Sequence, residues 1–513
     1  MIERIAVRPG AYFDSAFLMR IARQLEGTAG VSEAVLLMGT EMNRDLLRQA
    51  GFVRADVEGA GPMDLVIALR ADDEDAGDAA EERLQALLDG DDTTASQAQA
   101  ATAPATIGDA VAAGGADAAE TVVSISVPGS YAAHVAHRAL DEGCHVFLFS
   151  DNVSVEDEIA LKRRGRDAGL LVMGPDCGTS ILAGIGLGFA NRVTRGPVGL
   201  VGPSGTGIQE LCCGLDAEGI GISQALGTGG RDMSAAVGGP MTAMGIDLLV
   251  SDPETAILGL VAKAPADEVA DRIHAQLAAA GKPAVVRYLG APPRGDADGI
   301  SYAGSLDEAV ALLASLACAG SGATVPPGAT EIPDEFTGVG GRLIGLFGGG
   351  SLAAEARELL RRRGVRERGT EEPWLPGSPL PDGGHLLLDT GDDVYTRGRP
   401  HPMVDQTARL ELLTEAIRHP GVGVVLLDLV LGDGAHPDPA PEIAATVTAA
   451  KEARGDGHPL VICSVSGTTG DPQEVDVQAE ILRVGGVVVR RTATAAARFA
   501  ALMLTGDDEG SER

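Results

Sequence analysis

The sequence is poor in several things that would assign a function class at once. Aromatic residues make up only 3% of its 513 positions. No stretch approaches the ~18 uninterrupted apolar residues of a membrane span, so no transmembrane helix is expected. The opening MIERIAVRPG carries charge where a secretory signal needs an apolar run, so a cytoplasmic protein is expected. The cysteines (Cys144, Cys177, Cys212, Cys213, Cys318 and Cys463) form no CxxC pair and no ligand-like grouping with histidine. A disulfide scaffold and a structural zinc or other metal site are therefore not expected. Lysine occurs only at Lys162, Lys263, Lys282 and Lys451, and none is followed by Ser or Thr. A GxxxxGK[ST] phosphate loop is thereby excluded. A net charge of −33 argues against nucleic acid and anionic membrane as partners, since both repel an acidic surface.

What the sequence has is glycine, 70 of them, and 45% hydrophobic residues. That composition suits an α/β protein of three or four domains, with many short loops. Residues 1–90 read as a small α/β unit with strands in IERIAV, VSEAVLLMG and MDLVIALRA and a helix through Phe17–Leu25. Residues 91–119, rich in small side chains, read as a linker. Over 120–195 the apolar runs TVVSISV, HVFLF and LLVMG alternate with helices, which implies a parallel sheet covered on both faces. A further unit spans 196–318, a Pro- and Gly-bearing linker 319–340, a last unit 341–505, and a disordered tail 506–513. The units 196–318 and 341–505 resemble each other. VGLVGPSGTGIQELCCGL and IGLFGGGSLAAEARELL are each a strand, a glycine-rich turn and a helix, which reads as duplication of a whole domain.

The strongest chemical signal is Gly202, Ser204, Gly205, Thr206 and Gly207, between a strand and a helix. Glycines turn backbone N–H groups outward, and a helix N-terminus adds positive partial charge, so an anion is favoured there. The bland alternative is a tight turn with a Ser/Thr cap. Gly348, Gly349, Gly350 and Ser351 repeat the pattern, so packing about a pseudo-twofold axis would hold one phosphate between two helix N-termini. Asp392 and Asp393, Asp433 and Asp438, His401 and His436 lie in loops after apolar strands, where open α/β sheets bind ligands. His401, His436 and Asp392 are the catalytic candidates, with solvated loop residues as the alternative. The strand before Pro128 and Gly129 lacks a GxGxxG fingerprint, so dinucleotide binding has little support.

At this point the motifs carry a resemblance. GCHVFLFSDNVSVEDEIALKRRGRDAGLLVMGPDCGT resembles the second half of the CoA-binding domain of succinyl-CoA synthetase α-subunits. VGPSGTGIQE and GTGGRDM resemble the first ligase domain of that family, and 342–505 the second. Both on one chain, behind an unrelated N-terminal segment, are similar to the FdrA group of acyl-CoA synthetase homologues. The resemblance implies a partial Rossmann-like CoA-binding-type domain followed by two flavodoxin-like ligase domains with parallel sheets. It implies CoA or substrate contacts at Pro128, Gly129, Gly174, Pro175, Asp176 and Cys177. Two departures matter: Tyr302 stands where the family has its phosphohistidine, and Ala262-Lys263-Ala264-Pro265 where it has a glutamate-bearing turn. No segment is long enough for an ATP-grasp domain, so no intrinsic nucleotide site is expected. FdrA-type proteins are associated with oxamate carbamoyltransferase, which needs phosphate but neither ATP nor phosphohistidine. The expectation is therefore an enzyme that handles an acyl or carbamoyl phosphate, with phosphate as cofactor, CoA as a second candidate, and partner subunits. A complete acyl-CoA ligase and a non-catalytic scaffold or metabolite sensor stand as alternatives.

Overall fold

The computed structural model describes the chain except Met1, scattered positions between 12 and 62, most of 91–105, Ala116, 320–338, 368–372, 397–398 and 506–513. The expected linkers and tail lie largely outside the described residues, although Ile107–Gly114 inside the first linker is helical. Residues 1–113 with 396–400 form one compact unit, and 114–395 with 401–513 a second.

In the first unit, strands β1 (Ile2–Arg8), β2 (Val31–Met38) and β3 (Leu65–Ala71) form an antiparallel sheet of order β1-β3-β2. The apolar run LVIALRA takes the centre because a middle strand is covered on both faces. One face packs on the helices Ser15–Glu26 and Glu74–Gly90 through Leu18, Leu25, Leu84 and Leu88. The other carries Val66 and Ala68 against Leu47 and Phe52.

The second unit opens with β4 (Val122–Ile125), β5 (His145–Leu148) and β6 (Val172–Met173), a parallel sheet in that order. The alternation of TVVSISV, HVFLF and LLVMG anticipates it. The hairpin β7 (Thr179–Leu182) and β8 (Ile185–Gly188) does not extend this sheet. It joins instead β9 (Arg195–Gly202), β10 (Ile222–Gly227), β11 (Ile257–Lys263), β12 (Ala284–Leu289) and β13 (Ile300–Tyr302). That sheet has the order β13-β12-β11-β9-β10-β7-β8, parallel except where β7 meets β10 and β8. The expected parallel sheet is found over β9–β13, and an antiparallel hairpin from the preceding segment extends it at the β10 edge. A tight antiparallel hairpin needs only a short turn, which Ala183-Gly184 supplies with positive φ at both residues.

The last sheet consists of β14 (Arg342–Phe347), β15 (Leu386–Asp389), β16 (Val422–Val430), β17 (Leu460–Ser466) and β18 (Val488–Arg490). Its order is β18-β17-β16-β14-β15, all parallel, the same as β13-β12-β11-β9-β10. The internal repeat is therefore a repeat of topology as well as of motif.

Between the two large sheets lies a shared layer of four helices: Gly205–Ala217, Leu306–Cys318, Gly350–Arg362 and Ala493–Thr505. Ile208, Leu211 and Leu215 meet Leu313, Leu352, Ala356 and Phe499 in one continuous core. Alanines at 353, 356, 496, 497, 500 and 501 allow the helices to approach closely. Two buried glutamates tie this layer crosswise. Glu210, six residues into the first helix, accepts the Ala493 N–H at 2.6 Å and a bond from the Ser466 hydroxyl. Glu355, six residues into the third, accepts the Leu306 N–H at 2.8 Å and the Thr494 hydroxyl at 3.0 Å. Each glutamate thus caps the N-terminus of the other repeat's last helix, where orphan N–H groups favour a carboxylate. Arg287 bonds Glu355 at 3.0 and 2.5 Å, both fully buried.

Candidate functional site

The helices Gly205–Ala217 and Gly350–Arg362 meet at their N-termini. The Ser204 hydroxyl donates to Ser351 Oγ at 2.8 Å, and a Cβ on Gly349 would lie 2.6 Å from the Thr206 side chain. Ser204 and Gly349 are the N-cap residues, while Thr206 and Ser351 are each the second residue of their helix. The cap of each helix therefore touches the second residue of the other, as a twofold axis through the contact requires. Neither helix receives a side-chain cap bond. The Ile208 N–H donates to the Ser204 carbonyl, and the Leu352 and Ala353 N–H groups donate to the Gly349 carbonyl, so the amides before Ile208 and before Leu352 stand outside the helical pattern. Two uncapped N-termini converge within one compact unit, and their partial positive charges add.

The two loops are not equivalent. Asp428, fully buried on β16, accepts the Gly348 N–H at 2.6 Å and Arg409 Nη1 at 2.8 Å. Gly348 is thus committed to Asp428 rather than offered to a ligand, a correction to the phosphate set drawn from the sequence. Arg409 is fixed in turn by Gln406 and by the Asp428 carbonyl. Asp428 Oδ2 is buried without a partner beside a cavity of about 10 Å³ lined by Gly348, Gln406 and Arg409. Burial raises this carboxyl above its ordinary range, and Arg409 and the Gly348 amide oppose the rise.

Around the paired helix ends stand side chains that motif reading missed. Lys263 ends β11 and Asp389 ends β15. A Cβ on Gly350 would collide with Asp389 Oδ2 and lie 3.1 Å from Lys263 Nζ. Asp389 Oδ1 accepts the Gly391 N–H at 3.0 Å. Burial pushes the Asp389 carboxyl up to about 6, against the pull of Lys263 and the Gly391 amide. Asp176 is likewise pushed up to about 6, by the packing around it and by Asp151 and Asp393, with Lys263 and Arg231 opposing. Its side chain keeps exposed surface, so it lies in a concavity rather than in the core. Strand ends far apart in the sequence, such as Lys263 and Asp389, carry no common motif, and only the parallel topology brings them together.

The remaining candidates separate clearly. His401 lies close by: its Nε2 is 2.6 Å, and Asp389 Oδ1 3.2 Å, from where a Gly391 Cβ would stand. Its Nδ1 accepts the Met403 N–H at 3.2 Å, so the ring proton resides on Nε2. Burial, with Arg409, lowers its pKa to about 4. His401 is therefore a neutral donor and not the general base considered from the sequence. His436 accepts the Asp438 N–H on Nδ1 at 3.1 Å and lies 3.9 Å from Glu442, a structural loop arrangement. Asp392 accepts the Val394 N–H at 3.1 Å, a turn cap on an exposed residue. Asp433 pairs with Arg192 at 2.8 and 3.0 Å.

Of the residues expected at a CoA or substrate contact, Asp176 alone reaches this concavity. Cys177 turns inward: its thiol bonds the Thr179 carbonyl at 3.7 Å, and burial raises it to about 11. It offers neither a thiolate nor a contact, because Gly227 packs over its sulfur. Gly174 and Pro175 shape the turn, and a Cβ on Gly229 would meet the Pro175 carbonyl. Pro128 is the uncapped N-cap of the helix Gly129–Asp141, and Gly129 packs on the Asp151 and Asn152 carbonyls. These residues include no cation for a CoA phosphate. Lys162, fully buried, ties the helix Val155–Ala168 to the GTGGRDM loop through Glu158 at 2.7 Å, Asp232 at 2.9 Å and the Thr228 carbonyl at 2.9 Å. Tyr302 lies 5.3 Å edge-on to His274, which bonds the Tyr288 hydroxyl at 2.7 Å. Desolvation raises the Tyr302 phenol, so it stays neutral.

Comparison with known proteins bears on the class to which this chain belongs. Residues 346–503 match the family described as CoA-ligase. Fold and paired loops together define an α/β protein of the CoA-ligase class. The chain is 36% identical over 508 residues to the uncharacterized protein YahF of Escherichia coli K12, covering 96% of this chain and 97% of that protein. It is 30% identical over 208 residues to succinate–CoA ligase [ADP-forming] subunit alpha 1 of Archaeoglobus fulgidus, covering 38% of this chain and 69% of that subunit. The chain belongs to the family of YahF and to the succinate–CoA ligase family. Among solved structures, the dinucleotide-forming acetyl-coenzyme A synthetase 1 of Ca. Korarchaeum cryptofilum, in complex with phosphate and ADP, aligns over 74% of this chain and 82% of its own, at 18% identity and TM-score 0.33. Residues 1–104 match the family described as AllF, heavy metal-associated domain. That stretch contains neither Cys nor His, and its soft donors are the thioethers of Met1, Met19, Met38, Met42 and Met63. Among the described residues no helix is long and apolar enough to cross a membrane.

Proposed function

We propose that this chain is a CoA-ligase-related enzyme whose paired helix ends hold the phosphate of an acyl or carbamoyl phosphate. The observation that carries the reading is the meeting of two uncapped helix N-termini across the Ser204–Ser351 contact, with Lys263 beside them. A scaffold needs only ordinary capped turns, and two converging uncapped ones leave donors that an anion satisfies. The phosphate ligands are Ser204, Gly205, Thr206 and Gly207 on one side and Gly349, Gly350 and Ser351 on the other. The finer assignment is FdrA-type: transfer of an acyl or carbamoyl group to phosphate, within a larger assembly such as an oxamate carbamoyltransferase. Tyr302 in the phosphohistidine's place favours direct attack by phosphate over a phosphoenzyme relay, and such attack needs no nucleotide. Backbone N–H groups and the neutral His401 would offset charge developing on the attacked carbonyl, a term usually worth about 3 kcal/mol per donor.

The test is co-purification of the assembly from its host, followed by a phosphate-dependent assay with oxalurate as carbamoyl donor. Carbamoyl phosphate should form only when this chain is present. Equal formation without it, or ATP-dependent succinyl-CoA formation by the purified chain alone, would overturn the reading.

A further inference from the structure

The cleft beside the paired helix ends holds an ammonium and a carboxylate that flank one point without pairing. Lys263 Nζ stands 3.1 Å from the Cβ position of Gly350, and Asp389 Oδ2 is closer still. Neither atom makes a hydrogen bond or ion pair among the described residues, while Asp389 Oδ1 is anchored on the Gly391 N–H at 3.0 Å. An oriented carboxylate with one oxygen tied and the other free is the arrangement of an acid–base group rather than of a structural ion pair. The groups facing it are Lys263 from β11, Asp428 from β16, Asp392 and the buried Tyr395 phenol from the segment that follows it, and His401 beside Gly391. Two of these are carboxylic acids, one is a neutral imidazole, and Lys263 is the single nearby ammonium among them.

From this geometry we propose that Asp389 is the catalytic acid–base residue and Lys263 the cation that holds the ligand's anionic oxygen, so that the acyl group moves between phosphate oxygen and nitrogen. The inference rests on the phosphate reading above. A thiolate departs from an acyl group unaided, whereas nitrogen must be protonated as it departs, so an acid at this point selects nitrogen. In the step, a phosphate oxygen forms a bond to the acyl carbon and the carbon–nitrogen bond breaks. Its electron pair stays on nitrogen, which takes the proton from Asp389. In reverse, the Asp389 carboxylate removes the N–H proton as nitrogen attacks the acyl phosphate, and phosphate leaves with the carbon–oxygen pair. The raised Asp389 carboxyl, at about 6, exchanges protons near neutrality in both directions.

The test uses the full chain, as wild type, Asp389→Asn and Lys263→Met, with inorganic phosphate and carbamoyl phosphate as probes. Calorimetry at pH 6.5 in buffers of different ionisation enthalpy reads the protons taken up on binding. Wild type should take up protons that Asp389→Asn does not, with affinity changed by less than about threefold, while Lys263→Met should bind about tenfold more weakly. In the assembly, Asp389→Asn should lower phosphate-dependent turnover of a carbamoyl donor by about 10²–10⁴-fold. Identical proton uptake in wild type and Asp389→Asn, or turnover of that variant within threefold of wild type, overturns the assignment while leaving the phosphate site standing. Failure of wild type to bind either probe overturns the phosphate reading and this assignment with it.

Discussion

At the scale of single residues, the cleft carries charge at a cost to the fold. Burial raises the Asp389 carboxyl from 3.8 to about 6, so the folded chain binds this proton more tightly than the unfolded chain does. Stability from that preference is fully present below the ordinary carboxyl range, falls as the pH rises towards 6, and is gone above it. Replacement by Asn keeps an oxygen for the Gly391 N–H and removes the ionised form. Asp389→Asn should therefore stabilise the protein at pH 8 by about 1–2 kcal/mol, after allowance for partial solvent screening, and change little at pH 4. Urea denaturation at the two pH values checks this, and destabilisation at pH 8 would contradict it. Asp389 also marks a limit of motif reading. Gly205, Thr206 and Ser351 were legible because a glycine-rich turn before a helix has a local signature. Asp389 and Lys263 were not, because each is one polar residue ending an apolar strand, and only sheet order makes them neighbours. Cys177 misled for the opposite reason: its turn has a recognisable shape, but the side-chain direction is set by Gly227 on another strand.

At the scale of elements, the crossed glutamates explain how two helix ends stay aligned without caps of their own. Each helix that points its N-terminus at the cleft also sends a glutamate, two turns in, to the N-terminus of a helix in the other repeat. The alignment is thus fixed from the buried side while the cleft side stays open. Glu355 is the more demanding of the two because it also neutralises the fully buried Arg287. Glu355→Ala leaves that guanidinium unpaired and should cost about 3–5 kcal/mol, whereas Arg287→Met with Glu355→Leu should recover much of the loss. A double-mutant cycle by urea unfolding measures the difference, and equal costs for the single and double variants would refute the account. Element types were largely readable from hydrophobic alternation, since βαβ units repeat an apolar strand and an amphipathic helix. The β7–β8 hairpin was not, because its strands are four residues each, β8 bears two glycines, and pairing with β10 leaves no trace in local periodicity.

At the scale of the whole molecule, the repeat places on one chain two ligase domains whose helix ends must meet. The identical strand orders put β9 and β14, and the helices that follow them, in equivalent central positions. The four-helix layer between the sheets then brings those helices together through a continuous apolar core. Duplication was visible in the sequence, but the twofold contact was not, since no local pattern encodes how two domains pack. One consequence distinguishes this arrangement from a site assembled between separate subunits. When both halves of a site belong to one chain, their encounter is intramolecular, and dilution cannot separate them. Thermal stabilisation by phosphate depends on ligand concentration relative to its Kd, and for a one-chain site it does not depend on protein concentration. Dilution of the full chain from about 10 μM to about 0.1 μM at fixed phosphate should therefore leave the phosphate-induced rise in Tm unchanged. Differential scanning fluorimetry across that range reads it directly. A rise that fades on dilution would mean that a second copy completes the site, and the pairing of Ser204 with Ser351 within one chain would then not be what holds the ligand.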